Sequence, residues 1–401
     1  MRVWHPDRRV PGLGWVAKSA MDTATTTLFV ANALVLLVLA LAFSFAWLGQ
    51  RSEVYWTSWI AANITLATSL LLFTMEAPAA FPRLPLLFAG TLVVAGFGLR
   101  WRAARQFGRR PAPPALVFAP AGLAAALFIL SANSHYGEVY AAANVLMATQ
   151  AAATAYEFWR DRADGLPSRY GLVLAYGAVA ASFAVRAGRG LAFADSFTDY
   201  VPRDSMLEIH LLVALFYAVA SGAFALSIAY ERGAIALREA ALRDPLTGIG
   251  NRRAFEQRLE TYLSGGHGGF AVALLDIDHF KTVNDRHGHA AGDMALRRCA
   301  EILCSHFRPG DFIARIGGEE FAAILPGISA AEAVDLTERV RSAVEMQPVI
   351  DNCGAFGITL SAGVVHSSGG ARTLDALLKG ADDGLYRAKA DGRNRVHLFA
   401  A

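Results

Sequence analysis

Seven long apolar stretches, at about 28–48, 57–75, 84–101, 115–131, 138–157, 170–188 and 208–230, occupy most of the first 230 residues. Each is long enough to cross a bilayer as a helix, so this half is expected to be an all-α membrane domain of seven helices. Aromatic residues near the ends of these stretches (Trp47, Tyr55, Trp56, Trp101, Trp159, Tyr170, Tyr230) fit an interfacial belt. The hydrophobic content of 54% over 401 residues is high for a soluble protein, and the remaining chain does not share it. Two parts are therefore expected, one for lipid and one for water.

Charge gives the orientation. Loops on the side of the C-terminal part carry Arg51, Arg100, Arg102, Arg105, Arg109, Arg110, Arg160, Arg162 and Arg169. The opposite loops carry Arg83, Arg189 and Arg203, the last two among four acids. The excess of arginine places the C-terminal part in the cytoplasm. Arg2, Arg8, Arg9 and Lys18 precede the first stretch and oppose that orientation, so either one span is miscounted or the native protein begins at Met21, and the second is expected. The intact mass of natively expressed protein tests this, since a mass that includes residues 1–20 removes the idea. Asn32, Asn63, Asn144, Glu157, Arg186, Glu208 and His210 fall in or near the stretches. Their expected roles are interfacial anchoring and helix–helix hydrogen bonds. The net charge of +3 is modest and offers no case for a nucleic-acid partner.

The membrane domain is assigned to residues 1–230, a helical connector to 231–243 and a soluble domain to 244–401. Ile228, Ile235 and Leu242 are seven apart, as in a short coiled-coil seam, although a solvated helix explains them equally. Cys299, Cys304 and Cys353 lack ligand-like spacing and are expected to be buried, reduced thiols.

The soluble part concentrates its chemistry in short segments. Residues 317–321 read Gly-Gly-Glu-Glu-Phe between strand-like runs at 312–316 and 321–325. Two glycines at a hairpin tip remove side-chain bulk where a large ligand could approach, and two carboxylates follow. An apolar run at 270–275 ends in Asp276-Ile277-Asp278. Carboxylates at a strand end beside such a tip suit Mg²⁺, which takes one or two carboxylates plus substrate phosphates. Lys281 offers a point charge to phosphate, and Asn284 and Asp293 offer the donor and acceptor types of a guanine edge. A glycine break is expected at Gly288 and a helix after Gly292. His287 and His289 do not complete a zinc site.

In order and spacing these segments resemble the GGDEF family of diguanylate cyclases over about 244–401. The matching residues are Asp244-x-Leu-Thr-Gly-x-x-Asn-Arg-Arg, Asp276 to Asp293, Gly317 to Phe321, and Ala388-Lys389-Ala-Asp-Gly-Arg393-Asn394. The resemblance implies an α/β (α+β) palm-like βαββαβ domain of ferredoxin type, related to nucleotidyl cyclases. It implies condensation of two GTP into cyclic di-GMP with release of two pyrophosphates, by a homodimer with two Mg²⁺ (or Mn²⁺) per centre. By position, Asp276, the Ile277 carbonyl and Glu319 would hold metal, with Glu319 activating the 3′-hydroxyl and Glu320 assisting. Phe280, Lys281, Asn284, His289, Asp293, Gly317, Gly318, Lys389 and Arg393 would meet substrate. Arg308, Asp311 and Arg339 resemble the family's product-inhibition site, for which bidentate guanidinium groups are suited.

The alternatives are a catalytically silent GTP or cyclic di-GMP receptor and a transporter with a regulatory domain. The intact tip favours the enzyme, and the scarcity of charge deep in the spans disfavours the transporter. The chain ends soon after 395–399, with no phosphodiesterase-type domain expected.

Overall fold

The structure is a computed structural model. It describes residues 13–401 apart from 77–79, 82, 132–135, 198, 265–268, 352–353, 368–372 and 400–401, with backbone alone for 13–21 and 351. Arg2, Arg8, Arg9 and Cys353, and the side chains of Lys18 and Met21, lie outside the described residues. The chain divides into two units, residues 1–234 and 235–401.

In the first unit seven α-helices stand at the seven expected positions: α1 (Leu13–Gly49), α2 (Tyr55–Leu72), α3 (Leu84–Phe107), α4 (Pro114–Leu130), α5 (Tyr136–Arg160), α6 (Ser168–Ala192) and α7 (Ser205–Ala240). Four of them, α1, α3, α6 and α7, are long and apolar enough to cross a membrane, and α4 is apolar but shorter. Large side chains such as Phe43, Trp56, Trp59 and Tyr176 are fully buried between the helices.

Three of the polar groups near the span ends are buried between helices, and Glu208 is half-buried. Arg186 is 8% exposed, His210 7% and Glu157 5%, so all three lie inside the bundle. Glu157 is paired with Arg105 at 2.8 Å and with Arg110. Arg100, 1% exposed, donates to Asn63 Oδ1 at 2.5 Å and lies over the Tyr217 ring. Helix–helix hydrogen bonding thus accounts for these residues and snorkelling does not. Position along a span does not reveal lateral packing. The helical connector ends at Ala240, so Leu242 falls beyond the helix and cannot continue a heptad seam.

The second unit is built on β1 (Gly250–Asn251), α8 (Arg252–Ser264), β2 (Phe270–Ile277), α9 (Phe280–His287), α10 (His289–His306), β3 (Phe312–Arg315), β4 (Glu320–Pro326), α11 (Ala330–Met346), β5 (Val349–Asp351), β6 (Gly354–Phe356), β7 (Leu360–Ser367), α12 (Leu374–Ala390) and β8 (Val396–Phe399). A six-stranded sheet has the order β1-β3-β4-β2-β7-β8, and β5 with β6 forms a separate hairpin. Its four inner strands, β3-β4-β2-β7, give the expected βαββαβ palm.

β2 is buried along its whole length, and its side chains alternate between two cores. Ala271, Ala273, Leu275 and Ile277 pack with α10 and α11. Phe270, Val272 and Leu274 pack with α8 and α12. A continuous apolar run is what a strand covered on both faces requires. Closest of the helices is α12: a Cβ on Gly363 of β7 would lie 2.0 Å from the Ala381 carbonyl and 2.2 Å from the Leu385 nitrogen.

The second helix begins at His289, not after Gly292. Gly288 makes the whole turn at φ +82°, and Gly292 lies inside α10, where its missing side chain leaves room for Asn284. Cys299 is buried as expected, and burial pushes its thiol up to about 12. Cys304 is exposed, against expectation, because it lies on the outer face of α10.

Candidate active site

The end of β2 and the β3–β4 tip form one centre. Antiparallel pairing sets Leu275 opposite Phe321 and Asp276 opposite Glu320. Beyond the pairing, the Ile277 N–H donates to the Glu319 carbonyl at 3.3 Å. Asp276 lies on the sheet face that carries α12, and the Lys389 ammonium meets its Oδ2 at 2.8 Å. Burial raises the Asp276 pKa, Lys389 opposes the shift, and the charges of Glu319 and Glu320 reinforce it.

This donor set fits a divalent cation. A buried carboxylate beside two others has an ionisation cost that a cation removes. Among the described residues no three His, Cys, Asp or Glu side chains gather closely enough to hold a metal alone. Mg²⁺ does not require such a cage, since it keeps waters and takes substrate phosphates. Asp276, the Ile277 carbonyl and Glu319 are the groups here that would hold it.

The tip is pinned from behind. Arg315 donates to the Gly318 carbonyl from Nε at 3.1 Å and from Nη2 at 2.7 Å, and its Nη1 meets both Asp244 carboxylate oxygens at 3.2 Å. Asp244 also accepts from the Thr247 N–H at 2.9 Å and hydroxyl at 2.7 Å. Desolvation opposes its ionisation, but the Thr247 and Arg315 hydrogen bonds outweigh it and lower its pKa. The opening Asp-x-Leu-Thr segment therefore serves the tip mechanically. Its spacing alone did not reveal that link.

Asp278 has a role that sequence reasoning also missed. It is 5% exposed and accepts from Thr359 Oγ1 at 2.8 Å, Ser361 Oγ at 2.7 Å and the Asn394 N–H at 3.0 Å. It therefore fastens the turn after α12 to the end of β2. That turn holds Arg393 (φ +64°) and Asn394 (φ +50°), left-handed conformations for which side-chain anchoring compensates. The Asn394 amide bonds Arg341 at 2.5 Å and Glu345 at 2.9 Å on α11.

A second group surrounds α9 and α10. Phe280 is buried, Asn284 is half-buried, and Lys281, His289 and Asp293 are exposed. A Cβ on Gly292 would stand 2.0 Å from Asn284 Oδ1 and 3.2 Å from the Phe280 ring, so these three residues are in contact. His287 stacks on Phe356 at 4.5 Å. Gly317 and Gly318 occupy the tip, and a Cβ on Gly317 would meet the Glu320 carboxylate at 2.3 Å.

Arg308 and Asp311 form a third group. The Arg308 N–H donates to Asp311 Oδ2 at 2.8 Å, while the guanidinium stays 55% exposed at 3.8 Å from it. Ser329 hydrogen bonds hold the Glu332 carboxyl below its usual range, and the Arg308 charge adds to this. Arg308 therefore lies near the first turn of α11. Arg339 is exposed two turns further along that helix.

The profile described as "Diguanylate cyclase, GGDEF domain" matches residues 241–395. Diguanylate cyclase DgcP of Pseudomonas aeruginosa is 43% identical over 164 residues, which cover 40% of this chain and 24% of DgcP. Response regulator PleD of Caulobacter vibrioides is 42% identical over 163 residues, covering 39% of this chain and 36% of PleD. The solved coiled-coil and GGDEF domain of DgcB from Caulobacter crescentus, in complex with c-di-GMP, is 30% identical with a TM-score of 0.42, covering 43% of this chain and 94% of that one. The chain thus spans under half the length of these curated relatives. Residues 241–395 thus match the GGDEF domain of diguanylate cyclases.

Proposed function

We propose that this protein is a membrane-bound diguanylate cyclase, active as a homodimer and inhibited by its product. Each GTP 3′-oxygen attacks the α-phosphorus of the other GTP, the α–β anhydride bond breaks, and pyrophosphate leaves. Two such events close the cyclic di-GMP ring. Because each domain binds one GTP, two domains must face each other, most simply by two-fold symmetry.

The observation that carries this reading is the convergence of Asp276, Glu319, Glu320 and Lys389 on one strand end. Phosphoryl transfer depends mainly on positioning and charge neutralisation, which such a centre provides. Bound Mg²⁺ or Mn²⁺, two per centre, would neutralise phosphate charge and acidify the hydroxyl. Glu319 takes the 3′-hydroxyl proton, with Glu320 close enough to help. Lys281, Lys389 and Arg393 hold phosphates, and Asn284, His289 and Asp293 line the guanine and ribose site, with Phe280 beneath. Gly317 and Gly318 let the nucleotide approach the tip backbone.

Four apolar helices long enough to span support a multi-pass membrane location. The arginine-rich loops support an inner membrane with the catalytic unit in the cytoplasm. The direct test is incubation of the full-length protein, in detergent or lipid where it is dimeric, with GTP and Mg²⁺. Cyclic di-GMP and two equivalents of pyrophosphate are expected. Absence of product under these conditions would leave the silent-receptor reading in its place.

Two variants test parts of the site. Gly292→Ala forces Asn284 away from its present rotamer, because the new methyl would overlap its Oδ1. The KM for GTP should rise about tenfold, the equivalent of one good hydrogen bond, with kcat little changed. An unchanged KM removes Asn284 from the base site. Arg308→Ala should keep the initial rate yet relieve inhibition by accumulated cyclic di-GMP by about tenfold or more. If the inhibition curve does not move, Arg308, Asp311 and Arg339 are not the inhibitory site.

A further inference from the structure

The helical unit contains an internal cavity of about 110 Å³ between α1, α2, α3, α5, α6 and α7. Its walls are mostly apolar, with Phe29, Phe97, Met147 and Phe183 among them, and Asn32, Arg186 and His210 are the polar exceptions. A second pocket of about 50 Å³ shares Phe73, Val93, Met147, Arg186 and Val201 with the first. Arg186 is thus common to both spaces.

Arg186 is the anomaly. It is 8% exposed, and its one hydrogen bond among the described residues runs from Nε to the Tyr140 hydroxyl at 2.7 Å. Among the described residues no carboxylate pairs with it. Glu157 is compensated by Arg105 and Arg110, and Arg169 by Asp164, while Arg100, also without a paired carboxylate among the described residues, is held by Asn63 Oδ1 at 2.5 Å and by the Tyr176 and Ser221 hydroxyls at 3.5 Å. A guanidinium held in an apolar interior without a counter-ion is costly, and its two amino groups have the geometry that grips a carboxylate. His210 uses Nδ1 on Ser182 at 2.8 Å, leaving Nε2 for a ligand. Arg186 and His210 both lie toward the end of the bundle where α6 connects to α7.

We propose that this cavity binds a small amphipathic monocarboxylate, with its carboxylate on Arg186 and its apolar body among Phe97, Met147 and Phe183. The two adjoining spaces, about 110 and 50 Å³, together approach the cavity of about 150 Å³ that admits benzene, which sets the body at no more than one ring or a short chain. The ligand supplies the missing counter-charge, and the apolar walls reject fully hydrated anions. This site needs nothing from the soluble unit, so it stands or falls separately from the cyclase.

The test uses the full-length protein in lipid nanodiscs, with benzoate as probe and benzamide as its neutral isostere. Binding is read by ligand-observed saturation-transfer NMR and by the shift in melting temperature. Benzoate should bind saturably and raise Tm, and benzamide should bind at least tenfold more weakly. Arg186→Gln should lose about tenfold or more in benzoate affinity, with part recovered in Arg186→Lys. Ala214→Phe, which fills the cavity and leaves Arg186 in place, should abolish the benzoate signal. The proposal is overturned if benzamide binds as well as benzoate, or if Arg186→Gln or Ala214→Phe binds benzoate like wild type. It is equally overturned if the wild type binds neither benzoate nor hexanoate. Should Arg186→Gln fail to fold, the benzamide comparison and Ala214→Phe decide the matter.

Discussion

Glu319→Ala is expected to lower cyclic di-GMP formation by about 10²–10⁴-fold, the range for loss of a positioned general base. The side chain is half-buried at the tip, and its charge is felt at Asp276. Alanine removes both the proton acceptor and a carboxylate that would hold metal. The backbone bond from Ile277 to the residue-319 carbonyl is unaffected by the change, so the hairpin should keep its shape. Nucleotide binding should therefore survive while turnover fails. Glu320→Ala is the useful comparison: Glu320 is exposed and sits across from Asp276, and its loss should cost about tenfold. Initial rates with saturating GTP and Mg²⁺ measure both. A Glu319→Ala rate within tenfold of wild type would refute the assigned role.

Gly363→Ala is expected to destabilise the second unit by about 3 kcal/mol or more, at the upper end of overpacking effects. The added methyl would meet backbone atoms of α12 at 2.0 and 2.2 Å. Backbone atoms cannot rotate aside as a long side chain does, so the helix must lift. Gly384 faces this contact from α12, where its own Cβ would lie 3.1 Å from the Gly363 Cα. Lifting α12 also carries Lys389 away from Asp276, since Lys389 is about one and a half turns beyond Gly384. Stability and catalysis should fall together. Thermal unfolding and pulse proteolysis of the full chain provide the measurement. A melting temperature within one or two degrees of wild type, with activity retained, contradicts the close approach.

The candidate centre was legible because its chemistry sits in short contiguous runs. Asp276, Gly317 to Glu320 and Lys389 each belong to a local pattern with few alternative uses. What holds them was not legible. Asp278 reads as one more acid at a strand end until Thr359, Ser361 and Asn394 come to it from over eighty residues away. Arg315 is an ordinary strand residue in sequence, yet it joins Asp244 to the tip. Gly292 was misplaced because a glycine in a helix looks like a boundary unless its neighbour in space is known. In the first unit the apolar runs gave seven helices at the right positions. They said nothing of which faces meet, and so left open whether Arg186 and His210 anchor at an interface or bond between helices, where both are buried.

The pairing of β4 on both edges has a consequence for how this centre can change. β4 is bound to β3 on one side and β2 on the other, with Phe321 opposite both Arg315 and Leu275. A strand clamped twice cannot slide by one residue without exchanging core and solvent side chains along two ladders. An inserted or deleted residue near the tip must then be absorbed within 316–319, where it breaks the Arg315–Gly318 and Ile277–Glu319 links. Point changes at the tip alter chemistry, whereas changes in its length dismantle the geometry and leave the sheet intact. The five-residue tip is therefore a ruler, its length fixed by the two ladders that hold β4.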